Sequence, residues 1–281
     1  MSGRVLQLVC HPDWMYRELA ASSFEVKHSF GLDVPNFSYS DSWWMPQQYA
    51  VKLNRALSEN GMDKIKMSAP GAFIMSDIPF AFSRRIIKTK TVQEVLDNPY
   101  AAWWKSAESK VEEFPSRWRE IPELLEDIEA LPRDSLVQSS DTRLDIAKEF
   151  RVFVSAGIVK TSSVYLVKEP DDTETTVYDG AFATPIELAK VEGYISEFIA
   201  NFDVPSACVI DVAVLTDGTH VVLEMNPAWC SAWYNCDINA VVETIFESFN
   251  PETIGKWEYR PDQYLLEKAN RHTVLPMKLN R

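Results

Sequence analysis

Near its C-terminal end the 281-residue chain reads CVIDVAVLTDGTHVVLEMNPAW, two apolar runs separated by Asp217-Gly218. Asp-Gly between alternating apolar residues is a strong hairpin signal, because such a turn needs residues that tolerate positive φ. It predicts strands over 207–215 and 219–225. Side chains alternate with period two, so Glu224 and Asn226 point to one face. Asp211, inside the first strand, lies across from them or nearly so, and its own face depends on the hairpin register. Two carboxylates and an amide oxygen on a sheet face make a hard-oxygen donor set suited to magnesium, which shares its shell with water and phosphate oxygens. Ile210, Val212, Val222, Leu223 and Met225 flank these residues. An unpaired carboxylate in such a layer is costly, and a cation removes the cost. The competing reading is three ordinary polar residues on the wet side of a half-buried hairpin.

The rest of the chain alternates helical and strand patterns. An apolar run, Val5 to Val9, reads as a strand buried on both faces. The aromatic stretch through Trp43, Trp44 and Pro46 reads as loop. Helices are predicted over 47–57, from Thr91 to Asn98-Pro99 with a Thr91/Glu94 capping box, and over 122–130, 185–201 and 237–249. Strands are predicted over 101–105 and 135–139, with a hairpin of 149–155 and 158–167 about Ala156-Gly157. Asp171-Asp172-Thr173 reads as a loop, and nothing is assigned beyond Pro251. Hairpins with interspersed helices make the class α+β.

With 28 Lys+Arg and 41 Asp+Glu, the net charge is 28 − 41 = −13. That argues against a protein that clamps nucleic acid with its whole surface. The segment 84–119 runs the other way: 8 basic and 5 acidic residues make it +3, and the remainder −16. A local excess of cations suits a small polyanion, or simply a mildly basic surface. No run of about 18 apolar residues predicts a membrane span, and the first residues do not read as a secretion signal. Cys10, Cys208, Cys230 and Cys236 lack CxxC spacing and fit reduced thiols of a cytoplasmic protein. His11, His28, His220 and His272 have no metal-spaced partners. Neither GxxxxGK[ST] nor GxGxxG appears.

EFRVFVSAGIVKTSSVYLV, then VIDVAVLTDG, then VVLEMNPAW resembles, in that order, the C-terminal half of the ATP-grasp superfamily. The ending SAWYNCD after NPAW resembles a branch of microbial and viral ATP-grasp proteins. The resemblance covers about residues 82–248. It implies two α+β lobes holding ATP between them, a nucleotide lobe over about 91–139 and a metal and substrate lobe over about 140–250, both within an ATP-grasp domain of 91–281. Residues 1–90 would form a pre-grasp-like α/β domain.

By the same resemblance, Asp211, Glu224 and Asn226 hold Mg²⁺ on the ATP phosphates. Lys105 is the strand lysine reaching the phosphates, Lys110 the loop lysine, and Arg117 the following catalytic arginine. The family's lysine is often followed by Pro, where Ser106 stands here. Backbone groups of Val137, Gln138 and Ser139 would bind adenine, with Asp141 and Asp145 as ribose partners or turn residues. Arg151 would point at transferring phosphate or substrate carboxylate; on the residues alone it could pair with Glu149 instead. Lys160, Trp229, Trp233 and Asp237 would line the substrate pocket, and Arg84 and Arg85 could touch substrate. The implied activity is an ATP-dependent carboxylate–amine ligase working through an acyl phosphate, on small-molecule or peptide substrates, without nucleic acid or membrane. A phosphotransferase of the same fold and a non-catalytic nucleotide binder are the alternatives. Oligomeric state has no signature.

Overall fold

The computed structural model describes residues 4–9, 13–29, 37–108, 111–168, 174–177 and 182–271. Lys110 and the predicted loop Asp171-Asp172-Thr173 lie outside the described residues. The chain begins with β1 (Val5–Val9), α1 (Asp13–Ala20), β2 (Glu25–Ser29), β3 (Ser42–Trp44) and α2 (Gln47–Glu59). The three strands form a parallel sheet ordered β2-β1-β3. Every β1 side chain is buried, and its one polar member, Gln7, donates from Nε2 to Asp41 Oδ2 at 2.7 Å. The predicted loop through Trp43 and Trp44 is therefore corrected: β3 is a three-residue strand. Its partner β1 lies far away in sequence, so no local period announces it.

A second unit follows two short helices, α3 (Ile74–Asp77) and α4 (Phe80–Ser83). It contains β4 (Ile87–Thr91), α5 (Val92–Asp97), β5 (Ala102–Ser106), β6 (Arg117–Arg119), α6 (Ile121–Ile128) and β7 (Leu136–Ser140). Its antiparallel sheet is ordered β4-β7-β5-β6. One face packs Trp104 and Val137 against Val92, Val95, Leu124 and Ile128 of the helices. Thr91 and Glu94 form the expected capping box, an arrangement in which the cap contributes about 1 kcal/mol. Because β4 already pairs with β7, this sheet starts before residue 91, and the expected partition at 90/91 is corrected to one ahead of Ile87.

The third unit comprises β8 (Ile146–Ser155), β9 (Ile158–Lys168), β10 (Glu174–Thr176), α7 (Pro185–Asn201), β11 (Ala207–Leu215), β12 (His220–Asn226) and α8 (Ile238–Glu247). Its antiparallel sheet runs β10-β9-β8-β11-β12. Ala156 and Gly157, at φ 50° and 73°, turn the first hairpin, and Gly218, at φ 84°, turns the second. Phe150, Val152, Cys208, Ile210 and Val212 pack on Val191, Ile195 and Phe198 of α7. On the opposite face Phe153 and Val209 pack with Val241, Val242 and Ile245 of α8, in a core shared with β1 and β3. Further along that face, beyond Phe153 and Val209, stand the polar residues described next. The unassigned tail folds as α9 (Pro251–Ile254) and α10 (Gln263–Arg271), the latter packing Leu265 and Ala269 on Val51 of α2. Among the described residues no helix is long and apolar enough to cross a membrane.

Candidate active site

Strand register brings the polar residues together. Asp211 is directly opposite Arg151 on β8 and directly opposite Glu224 on β12. Directly paired residues share a face, so Arg151, Asp211, Glu224 and, two residues on, Asn226 form one surface. The register left open by the sequence is decided by a bulge: Asp211 faces Glu224 while Val212 faces Val222, leaving Leu223 as the extra residue on β12. A bulge re-aims neighbouring side chains, and here it keeps Glu224 on the face of Asp211.

The cluster is densely bonded. Arg151 donates from Nε to Asp211 Oδ1 at 2.9 Å and from Nη2 to Asp211 Oδ2 at 2.7 Å, and from Nη1 to the Ala232 carbonyl at 2.9 Å. Asn226 Nδ2 donates to Asp211 Oδ2 at 3.2 Å and to Glu224 Oε1 at 2.9 Å. Lys105 Nζ lies 2.6 Å from Glu224 Oε2. That last pair crosses between the two antiparallel sheets, since Lys105 is on β5 and Glu224 on β12. The side of the four-stranded sheet that Lys105 shares with Gln138 and Thr89 therefore faces the donor cluster.

Burial and charge act against each other here. Burial pushes the Asp211 carboxyl up, Arg151 pulls it down, and the Glu224 charge adds to the rise. Glu224 also resists burial, but the Lys105 ammonium holds it well below the usual carboxylate range. Arg151 would lose charge through burial, yet Asp211 keeps its pKa above the ordinary value. The Arg151 guanidinium carbon also lies 5.1 Å from the ring centroids of both Tyr165 and Tyr234. Those rings stack at 4.9 Å, and the Tyr165 hydroxyl donates to Glu149. Tyr234 holds φ at 50°, a left-handed conformation costing about 1–2 kcal/mol for a residue with a Cβ.

The sequence profile of an ATP-grasp domain, the second family of its clade, matches residues 82–244, more than half of the chain. The chain belongs to the ATP-grasp superfamily. No curated protein matches the sequence. Similar solved structures include a D-alanine–D-alanine ligase from Bacillus anthracis, at 12% identity over 88% of this chain and 97% of that one, TM-score 0.47. D-cycloserine synthetase DcsG shares 12% identity over 88% and 100%, TM-score 0.49. Macrocyclase MdnC from Microcystis aeruginosa MRC, bound with precursor peptide MdnA, shares 11% over 86% and 99%, TM-score 0.47. ATP-grasp proteins are mostly ATP-dependent carboxylate–amine ligases.

The donor set of this ATP-grasp chain fits a divalent ion. The Asn226 NH₂ group sits between the two carboxylates, within hydrogen-bond reach of both. Turning the amide over would present Oδ1 there instead, giving three hard oxygens around one point. Among the described residues no group of three or more His, Cys, Asp or Glu side chains is placed to hold a metal. Two carboxylates and an amide leave the remaining positions to water and phosphate, as magnesium prefers.

Other predicted residues fall elsewhere. Arg117 pairs with Trp104, on the helix-facing side of its sheet. It is bonded to Asp127 of α6 at 2.7 Å. The expectation of a catalytic Arg117 is corrected, because strand alternation turns it away from the Lys105 face. β7 is a central strand paired with both β4 and β5. Val137 is buried in the helix-side core, and the Ser139 hydroxyl meets the Tyr100 hydroxyl at 2.6 Å. Backbone groups of 137–139 are thus engaged in ladders rather than free for a base, and only the Gln138 side chain shares the Lys105 face. There Gln138 Nε2 donates to the Ala72 carbonyl at 2.9 Å.

Asp141 Oδ1 accepts from the Ile86 amide, and Asp145 accepts from Thr216 and Lys168. Arg151 does not pair with Glu149; all three of its donor groups go to Asp211 and Ala232. Lys160 pairs with Glu243 of α8 at 3.2 Å. Trp229 and Trp233 are core residues, their Nε1 atoms donating to Ser68 O and Glu18 Oε2. Asp237 caps α8, accepting from the Ala240 amide. None of these four joins the donor cluster, so the predicted pocket lining is corrected to packing, pairing and capping. The Tyr165–Tyr234 stack carries no sequence signal: a second bulge, between Glu149 and Phe150, leaves Tyr165 as the extra residue on β9, and no pattern marks a tyrosine at positive φ.

Proposed function

We propose that the chain is an ATP-dependent carboxylate–amine ligase that uses Mg²⁺ and an acyl-phosphate intermediate. The observation that supports it is the convergence of Asp211, Glu224 and Asn226 beside Lys105, across the cleft between two sheets. Asp211, Glu224 and the Asn226 amide oxygen would hold the ion. When bound it neutralises phosphate charge and aligns the γ-phosphoryl group. Lys105 exchanges Glu224 for a phosphate oxygen. Arg151, with its fork on Asp211, keeps that buried carboxylate ionised and oriented. A substrate carboxylate attacks the γ-phosphorus and displaces ADP; an amine then attacks the acyl carbon and releases inorganic phosphate. Such transfer is mostly positioning and charge stabilisation, so no protein nucleophile is needed.

The substrates are taken as small-molecule or peptide carboxylates and amines, with neither nucleic acid nor membrane as partner. A cytoplasmic location suits thiols such as the free Cys208, Cys230 and Cys236. The test is a screen of amino-acid and peptide pairs for magnesium-dependent ADP release, with a folded Glu224→Ala/Asn226→Ala variant as control. ADP that forms only when carboxylate and amine are both present supports the ligase. ADP formed with a single acceptor would instead indicate a phosphotransferase.

A further inference from the structure

Arg85 stands between α4 and β4, where the chain crosses into the four-stranded sheet, and is only 8% exposed. Its Nη2 donates to the carbonyl of Leu223 at 2.7 Å. Leu223 is the residue that the β12 bulge leaves unpaired, immediately before Glu224, and β12 is an edge strand. Arg85 therefore grips the backbone at the one point where the β11 ladder has let it go. The backbone around Arg85 is itself fixed. Ser83 Oγ donates to the Arg85 carbonyl at 2.8 Å, and the Ile86 amide donates to Asp141 Oδ1 at 3.0 Å. Arg84 completes the bend at φ 52°.

A neutral donor would suffice to cap an edge carbonyl, whereas burying a guanidinium costs several kcal/mol unless charge and hydrogen bonds compensate it. Compensation is incomplete: Nη1 is buried with no hydrogen-bond partner. Burial lowers the Arg85 pKa to about 10, and the nearest opposing influence is the charge of Glu224, followed by Asp141 and the Tyr194 hydroxyl of α7. A buried arginine whose chief charge partner is Glu224, and whose hydrogen bond holds the residue before it, is tied to that carboxylate twice.

We propose that Arg85 is a positioning residue for Glu224: by holding the bulge carbonyl of Leu223 it sets where the Glu224 carboxylate stands in the donor cluster. The inference rests on the magnesium–ATP reading above. Groups that orient metal ligands typically change metal affinity by about 10–100-fold when removed.

The experiment measures ATP binding by the full chain as magnesium is titrated, in wild type, Arg85→Lys and Arg85→Met. Expected is a rise of about tenfold or more in the magnesium midpoint for Arg85→Met, with Arg85→Lys between it and wild type. Metal-free ATP affinity should stay within about twofold, which general destabilisation would not allow. A folded Arg85→Met with an unchanged midpoint overturns the proposal. Should both variants fail to fold, a crystal structure of wild type with Mg²⁺ and a non-hydrolysable ATP analogue decides it. Arg85 still on the Leu223 carbonyl while Glu224 binds the metal supports the proposal, and Arg85 released from that carbonyl overturns it. Wild type that binds no ATP with magnesium removes the underlying reading as well, whereas normal wild-type binding with unaffected variants removes only the role of Arg85.

Discussion

Arg151 and Asp211, directly opposite each other on β8 and β11, make a two-point ion pair at 2.9 and 2.7 Å in a place where Asp211 has no exposed surface. Removing one partner of a buried pair leaves an uncompensated charge, costing about 3–5 kcal/mol. Arg151→Ala should lower urea-unfolding stability by that amount, and Arg151→Lys, which keeps charge but loses the fork, by less. An Arg151→Ala protein as stable as wild type would show that the pair is not closed in solution.

Lys105 is the only basic side chain hydrogen-bonded to Glu224 among the described residues. Lys105→Ala removes the charge that holds the Glu224 pKa down, so Glu224 gains a proton at higher pH than before. Magnesium-dependent ATP binding should then weaken as pH falls over a range where wild type is indifferent. Affinity at neutral pH should drop about tenfold or more, the worth of one hydrogen bond between charged groups. Calorimetric titration at a series of pH values reads both effects.

Glu108 follows β5 and accepts the Ala72 amide at 3.1 Å. Burial, reinforced by the Asp262 carboxylate, raises its pKa from 4.5 to about 7, against the pull of the Ala72 hydrogen bond. Between those values the folded chain binds more protons than the unfolded one, so stability falls as pH rises. The contribution is full below the unfolded value and lost as pH passes about 7, a change of about 1–3 kcal/mol. Glu108→Gln should flatten the decline in denaturant midpoint across that range; an equally steep slope in the variant would assign the decline to other groups.

Arg117 and Arg119 sit two residues apart on β6 with opposite exposure. Arg119 has no exposed surface and donates to Asp127, to the carbonyls of Trp104 and Pro115, and lies 4.0 Å over the Phe114 ring. Arg119→Ala strands buried carbonyls and should cost about 2–4 kcal/mol. Arg117→Ala should leave both the unfolding midpoint and ATP turnover at wild-type values. A large loss of turnover in a folded Arg117→Ala would return that residue to the catalytic machinery.

Much of the fold was readable in advance because its signals are local. The Thr91/Glu94 capping box, the Asp217-Gly218 and Ala156-Gly157 turns, and the 185–201 helix each depend on residues within one turn, one hairpin or one helix face. The short strands β2, β3 and β6 were not readable. They contain three to five residues, and β2 and β3 are stabilised by pairing with β1, which no local period reveals. Of the site, Glu224 and Asn226 were legible as a pair, since alternation alone puts them on one face.

The residue types, the hairpin and the three oxygen donors were determined by the sequence itself, through turn chemistry and the two-residue period of a strand. Tertiary structure decided the partners. A single bulge chose which face Glu224 and Leu223 would take; strand order set Arg151 against Asp211 rather than Glu149; sheet pleat sent Arg117 to the helices and Lys105 across the cleft. These outcomes depend on contacts between distant segments, as with Arg85 and Leu223, which lie 138 residues apart. Charge strength there depends on burial, which no window of sequence contains.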